Sequence, residues 1–212
     1  INNRNNKKEF FLTDLIEILS TEGYKVSHME FPYHEFLGVN DKSDQALVEY
    51  QFQKMLRKKF LKKGVTMIDP SSIFFSSDTE IGKDVVIHPN VYFGPNVKIG
   101  NEVEIKGFCH IENTVIKDRA AVGPFARLRD ETNIDKDAKI GNFVEIKKSN
   151  IKNNVKISHL SYIGDAYIGE NSNIGAGMIT CNYDGLKKNK TFIGENCFIG
   201  SNTSLIAPIK IS

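Results

Sequence analysis

Three side chains in the second half of the chain are of types that together could handle an amine and an anion. Arg129 and Lys147 are cations eighteen positions apart, and His159 follows twelve positions later. Imidazoles in general titrate near pH ~6.5, so His159 can take a proton from an ammonium group at neutral pH. Two cations that converge on one point hold a phosphate. Farther on, Asn182-Tyr183-Asp184-Gly185 is rich in hydrogen-bonding and turn-forming groups. Each has a plainer reading when taken singly: a surface or structural histidine, a solvated corner charge at Arg129, an ordinary β-turn at NYDG. What decides between these readings is whether the chain brings the side chains together.

From about Phe75 to Ile211 an aliphatic or aromatic residue returns every six positions, with Thr180 the one polar exception in the register. The register skips one residue after Ile111, Ile146 and Ile163, and takes a thirteen-residue step from Thr180 to Ile193. Glycine often follows the register residue, and a small or β-branched residue (Val91, Cys109, Val115, Ala126, Cys197) stands four positions after it. Six fits neither a helix nor an alternating strand, but it fits short strands joined by tight corners at which glycine relieves steric limits. Three hexads make one triangular coil, and stacked coils form a parallel β-helix with the register residues inside. Arg129 and Lys147 then lie one coil apart, close enough for one phosphate. The long step after Thr180 predicts a protruding loop, available to cover a site.

The first 74 residues lack the hexad. Leu12–Glu22 reads as a short helix that starts near Thr13 or Asp14 and stops at Gly23, and Tyr24–Phe31 as a strand. An apolar stripe of Val48, Phe52, Met55, Leu56 and Phe60 marks an amphipathic helix from about Ser43 to Lys63. The basic run RKKFLKK at its end reads as a solvated face favoured by the helix dipole. With 28 basic and 26 acidic residues the net charge is +2, which gives no electrostatic footprint for nucleic acid. There is no apolar run of membrane-spanning length and no signal-peptide pattern. Cys109, Cys181 and Cys197 include no CxxC pair and read as reduced core residues, which suits a cytoplasmic protein.

Between Val122 and Asp184 the sequence becomes too particular for a generic repeat: VGPFARLR, IGNFVEIKKS, HLSYIGDAYIG, NIGAG and ITCNYDG follow one another. These blocks resemble the acetyltransferase half of the bacterial bifunctional N-acetylglucosamine-1-phosphate uridyltransferase/glucosamine-1-phosphate acetyltransferase family. NNRNNKKEFFLTD, GVND and GVTMIDP are similar to the end of that family's uridyltransferase domain and its linking helix. The resemblance covers essentially the whole chain. It implies a left-handed β-helix, against the usual crossover hand, with residues 1–42 the remnant of the uridyltransferase domain, 43–64 a linker helix and 65–212 the acetyltransferase domain, truncated at its C-terminus. It further implies a homotrimer with sites in the grooves between subunits, so that one groove takes His159 from one chain and part of the CoA surface from another.

The resemblance also assigns roles. His159 matches the catalytic histidine. Arg129 and Lys147 match the acceptor-binding cations, Tyr162 and Asn173 the sugar-binding hydroxyl and amide, and Lys188 a further lysine near the acceptor. Ala176, Asn182, Tyr183 and Ser201 match acetyl-CoA-binding positions, with the Asn182 amide a candidate for stabilising the oxyanion. Asn5 matches an asparagine that helps hold Mg²⁺ in the uridyltransferase site, although one oxygen ligand makes no magnesium site alone. The implied substrates are glucosamine-1-phosphate and acetyl-CoA, then UTP and N-acetylglucosamine-1-phosphate in the full-length protein. No nucleic acid and no membrane is implied as a partner. The group that orients His159 is open, with Asp165 and Glu145 near it in sequence or repeat order.

Three other readings compete. A γ-class carbonic anhydrase shares the fold and uses three zinc-binding histidines, but His28, His34, His88, His110 and His159 do not cluster in the sequence. A different hexapeptide acyltransferase would lack the GPFARLR and TCNYDG blocks. A non-catalytic trimerisation scaffold is the third, because the chain lacks the last coils, where the family places the rest of the CoA pocket.

Overall fold

A computed structural model describes residues 1, 3 and 5–212, without the side chain of His34. The chain divides into two compact units, 1–48 and 49–212. The first holds the helix Asp14–Thr21 and a single 3-10 turn, Tyr33–Glu35. Gly23 ends the helix at φ +82°, its N–H bonded to the Ser20 carbonyl, as the glycine stop signal implies. Tyr24–Phe31 departs from expectation and forms no strand. Among the described residues of 1–48 there is no strand to share a ladder with it. A long helix, Lys42–Lys62, follows within one residue of the expected bounds.

The second unit opens on the later turns of that helix, where Gln53, Leu56, Arg57 and Phe60 are buried. Leu56 and Phe60 keep to the stripe read from sequence and Phe52 packs against the core beside them, but Gln53 and Arg57 join the buried face and Met55 is exposed. The reason is the bare lower end of the first coil, whose backbone groups have no coil beneath them. Gln53 caps them: its amide donates to the Phe75 carbonyl at 2.7 Å and its oxygen accepts the Phe75 N–H at 2.9 Å. Arg57, the first residue of the basic run, donates to the carbonyls of Pro70 and Ser71 rather than facing water. Phe60, Phe75 and Phe93 then pack ring on ring into the interior at 4.8 and 5.2 Å.

Above this base the chain winds as a left-handed parallel β-helix with three faces, sheets of eight, seven and eight parallel strands. Register residues align coil over coil; Ile111, Leu128, Ile146 and Ile163 are neighbours on the second face. All four are fully buried. Thr180, the polar exception, is buried as well, because its hydroxyl accepts the Gly164 N–H at 2.7 Å and so leaves no unpaired group. Leu128→Ala is expected to cost about 2–5 kcal/mol through the cavity it leaves, read as a lowered denaturant midpoint with an unchanged slope.

All three skips and the long step fall at one corner, between the second and third faces. There the inward small position moves forward by one residue. Thr114 rather than Val115 is buried, and Ser149 and Ala166 fill the same place in later coils. Glycine's role also differs from the expectation of steric relief at corners. The left-handed corners are held mainly by other residues, such as Asn90, Asn96, Asp137 and Asn154, whose short polar side chains tolerate that conformation. Gly141 and Gly169 instead permit close approach, since a Cβ on either would collide with the backbone of the coil above.

Cys109 is buried, and burial pushes its thiol up to about 11, which disfavours the thiolate a nucleophile needs. Cys197 is partly buried and packs against the core, whereas Cys181 is partly buried without a place in it; all three are free.

Candidate active site

The second face carries the expected cations. Arg129 and Lys147 are direct ladder partners on adjacent coils, so the spacing of eighteen does place both side chains on one strip. Two carboxylates hold them there. Arg129 donates to Glu145 at 2.8 Å and to Asp130 at 2.9 Å, and Lys147 pairs with Asp130 at 3.3 Å. Burial pushes the Asp130 carboxyl upward, but Lys147 and Arg129 outweigh it and hold the group below the usual carboxylate range. Lys188 arrives from the loop after Thr180. It stands beside Lys147, and the proximity of the two amines lowers Lys188 and raises Lys147 relative to ordinary lysines.

The next position in this column is Gly164, paired with Lys147. Its missing side chain is where Tyr162 and Asn182 meet. A Cβ there would lie 2.6 Å from both the Tyr162 hydroxyl and the Asn182 amide nitrogen. Asn182 is buried and donates to Asp165 at 2.6 Å, which fixes the plane of its carboxamide. Asp165 therefore orients Asn182, not His159. The rest of the insertion is a turn built on Asp184, whose carboxylate accepts N–H bonds from Leu186, Lys187 and the Asn189 amide. Tyr183 is exposed and donates to the Gly185 carbonyl within the same turn.

His159 stands at the corner between the first and second faces. It lies over Asn142 in the ladder, and its Nδ1 stands within hydrogen-bond distance of Asn142 Oδ1, at 2.7 Å. Neither sequence candidate orients it, since Glu145 is engaged by Arg129. The ring lines a groove of about 370 Å³ floored by Gly123 and Gly141 and walled by Phe125 and Phe143. The Phe108, Phe125 and Phe143 rings stack at 4.9 and 5.0 Å along this corner. Above His159 the same edge continues through Ala176, whose carbonyl accepts the N–H of Asn202 beside Ser201. A narrow strip of small residues thus rises from the histidine, where a long flexible chain can lie against the coil edges.

Asn173 is separate. It sits on the first face over Lys156, in a polar groove with Arg119 and Lys139, so one chain does not unite it with Arg129 and Lys147. Asn5 is engaged locally: its oxygen accepts the N–H groups of Lys7 and Glu9 at 3.0 and 3.3 Å. Among the described residues no group of three His, Cys, Asp or Glu side chains could hold a metal ion. The described residues therefore do not compose a magnesium or a zinc site. No helix among the described residues is long and apolar enough to cross a membrane.

Sequence reasoning missed Asn142, Asp130 and Gly164. Asn142 and Gly164 become visible only once the skips are assigned to one corner, because a ladder partner is then seventeen rather than eighteen residues away.

Comparison with known proteins agrees with this architecture. A model described as bacterial transferase hexapeptide (six repeats) matches residues 78–113, and one described as the GMPPB C-terminal domain matches residues 110–211. The bifunctional protein GlmU of Paramagnetospirillum magneticum is 49% identical over 211 residues, which is 100% of this chain and 47% of that protein. GlmU of Wolbachia pipientis wMel is 47% identical over 203 residues, 96% of this chain and 47% of that protein. The chain thus spans about half the length of the curated relatives it matches. The crystal structure of a UDP-N-acetylglucosamine acyltransferase superposes with a TM-score of 0.52 at 16% identity, over 68% of this chain and 65% of that one, a likeness of fold alone. With near-half identity along its whole length, the chain belongs to the family of bifunctional GlmU proteins.

Proposed function

We propose that this chain carries the acetyl-transfer site of a bifunctional enzyme, moving an acetyl group from acetyl-CoA to the amine of glucosamine-1-phosphate. In the full-length protein a second site, dependent on Mg²⁺, then joins N-acetylglucosamine-1-phosphate to a uridylyl group from UTP. The observation that carries the reading is the strip on which Arg129 and Lys147 stand in register beside Tyr162 and Asn182, with His159 around the adjacent corner. His159 Nε2 removes a proton from the acceptor ammonium, and the free amine attacks the thioester carbon. Arg129, Lys147 and Lys188 hold the phosphate, Tyr162 and Asn173 the sugar hydroxyls, and the Asn182 amide the developing oxyanion. The bond formed is N–C and the bond broken is C–S; the attacking nitrogen sheds its second proton to the departing thiolate, so CoA leaves as the thiol, and His159 passes its own proton to solvent.

Asn173 faces away from the cation strip, so a groove between the first face of one copy and the second face of another would collect both. A homotrimer with three such grooves is the assembly this split favours, and a cytoplasmic location fits the free cysteines. Residues 1–42 are assigned to the end of the uridyltransferase domain, 43–64 to a linker helix and 65–212 to the acetyltransferase domain. The test is thiol release from acetyl-CoA by the full-length protein, offered glucosamine-1-phosphate or glucosamine without its phosphate. Strong preference for the phosphorylated amine is expected, and equal use of both would reject the cation strip as the acceptor site.

Phosphate binding should also take up a proton. Lys188 is held below an ordinary lysine by Lys147 in the free protein, and an anion between them opposes that lowering, so the uptake appears as pH approaches the lysine range. Affinity is therefore full below the lowered value and declines as pH rises toward the ordinary lysine range. Calorimetry in buffers of different ionisation enthalpy measures the uptake, and a buffer-independent heat would contradict it.

A further inference from the structure

The strands that meet under His159 are built differently from the rest. Lys139–Asn142 and Lys156–His159 are four residues each, while every other strand among the described residues has two or three. The extension is possible because residue 141 is glycine, since any Cβ there would overlap the Ser158 carbonyl. Its product is one extra ladder pair, Asn142 with His159. The Leu160 N–H bonds to the Asn142 carbonyl at 3.0 Å and closes the corner. An elongated ladder, a glycine that permits it and a 2.7 Å bond at its end converge on one contact.

We infer that Asn142 is a positioning residue for His159: its carboxamide oxygen holds the Nδ1–H tautomer and leaves the Nε2 lone pair facing the groove as the base. The proposal rests on the acetyl-transfer reading for its kinetic consequence, but not for the tautomer itself. The group that orients a base is often a carboxylate, which also stabilises the imidazolium. Here the orienting group is neutral, and no carboxylate lines the groove. Of the charged groups on the packed elements, Lys106 lines the same groove, and Lys139 and Lys156 stand on the adjoining first face. All are cations.

Two substitutions in the full-length protein separate orientation from structure. Asn142→Asp keeps the acceptor oxygen and adds a charge. It is expected to retain turnover within a few-fold while moving the acidic limb of the kcat/KM–pH profile upward by about 1–3 units. Asn142→Leu removes the acceptor and is expected to lower kcat/KM at least tenfold without that movement. Imidazole ¹⁵N spectra of histidine-labelled protein read the tautomer directly, with Nδ1 protonated in the wild type and Nε2 protonated in Asn142→Leu. An Nε2-protonated ring in the wild type overturns the proposal, whatever the substrate. So does an unmoved profile in Asn142→Asp, or unchanged kcat/KM in a folded Asn142→Leu. If the wild type shows no acetyl transfer while its ring is Nδ1-protonated, the functional reading fails and the positioning role stands.

Discussion

His159→Ala in the full-length protein is expected to lower the turnover of acetyl transfer to glucosamine-1-phosphate by about 10²–10⁴-fold, the range for loss of a positioned general base. Its exposed ring packs into no core, so the thermal midpoint should move little. Substrate affinity should also change little, because the cations proposed to hold the phosphate, Arg129 and Lys147, stand on a different face of the coil. The loss should shrink at high pH, where solvent supplies more of the amine already deprotonated. A variant whose KM rises while kcat holds would place His159 among binding groups and leave the base unassigned.

The second large effect is expected at Gly164. Its φ lies outside the left-handed region, so alanine meets no backbone penalty there. What it meets is the Tyr162 hydroxyl and the Asn182 amide, each 2.6 Å from the new Cβ. Neither can step aside freely: Tyr162 is a rigid ring, and Asn182 is buried and tied to Asp165. Gly164→Ala should therefore cost roughly 1–3 kcal/mol of stability through overpacking. It should also cost about 10²-fold in kcat/KM for the acceptor, since two hydrogen-bonding groups are displaced together. Steady-state kinetics beside a denaturant titration separates the two effects. A variant that loses stability but keeps kcat/KM would show that the crowding at Gly164 has no part in the site.

Much of this was legible from the hexad. Register residues such as Ile146 and Ile157 point inward as the period requires, and Arg129 falls over Lys147 as a separation of one coil requires. Legibility failed where a second element supplies the constraint. Gln53 and Arg57 look like polar surface on a helix, yet they are buried because the first coil needs its backbone capped. Val115 was placed in the small column by counting six, but the shortened corner gives that place to Thr114.

The same corner explains what was hidden near the chemistry. Every irregularity of the repeat falls between the second and third faces, and those after Ile146, Ile163 and Thr180 adjoin Lys147, Gly164 and Asn182. A departure from period six marks the place where packing alone no longer dictates the chain. Asn142 was out of reach for a related reason. Its partnership with His159 depends on a ladder lengthened by Gly141, and a glycine in a column of glycines carries no visible sign of that role. Resemblance named most of the site residues, and the structure adds how neighbouring coils hold them.

The most direct measurement is a single-turnover reaction of the full-length protein with acetyl-CoA and glucosamine-1-phosphate, followed by thiol release and by mass spectrometry of sugar and protein. The account predicts one N-acetylated sugar phosphate for each thiol released, with no acetyl group on the protein at any time. Thiol release that does not depend on the sugar phosphate, or an acetyl group found on His159, would contradict direct attack by a deprotonated amine.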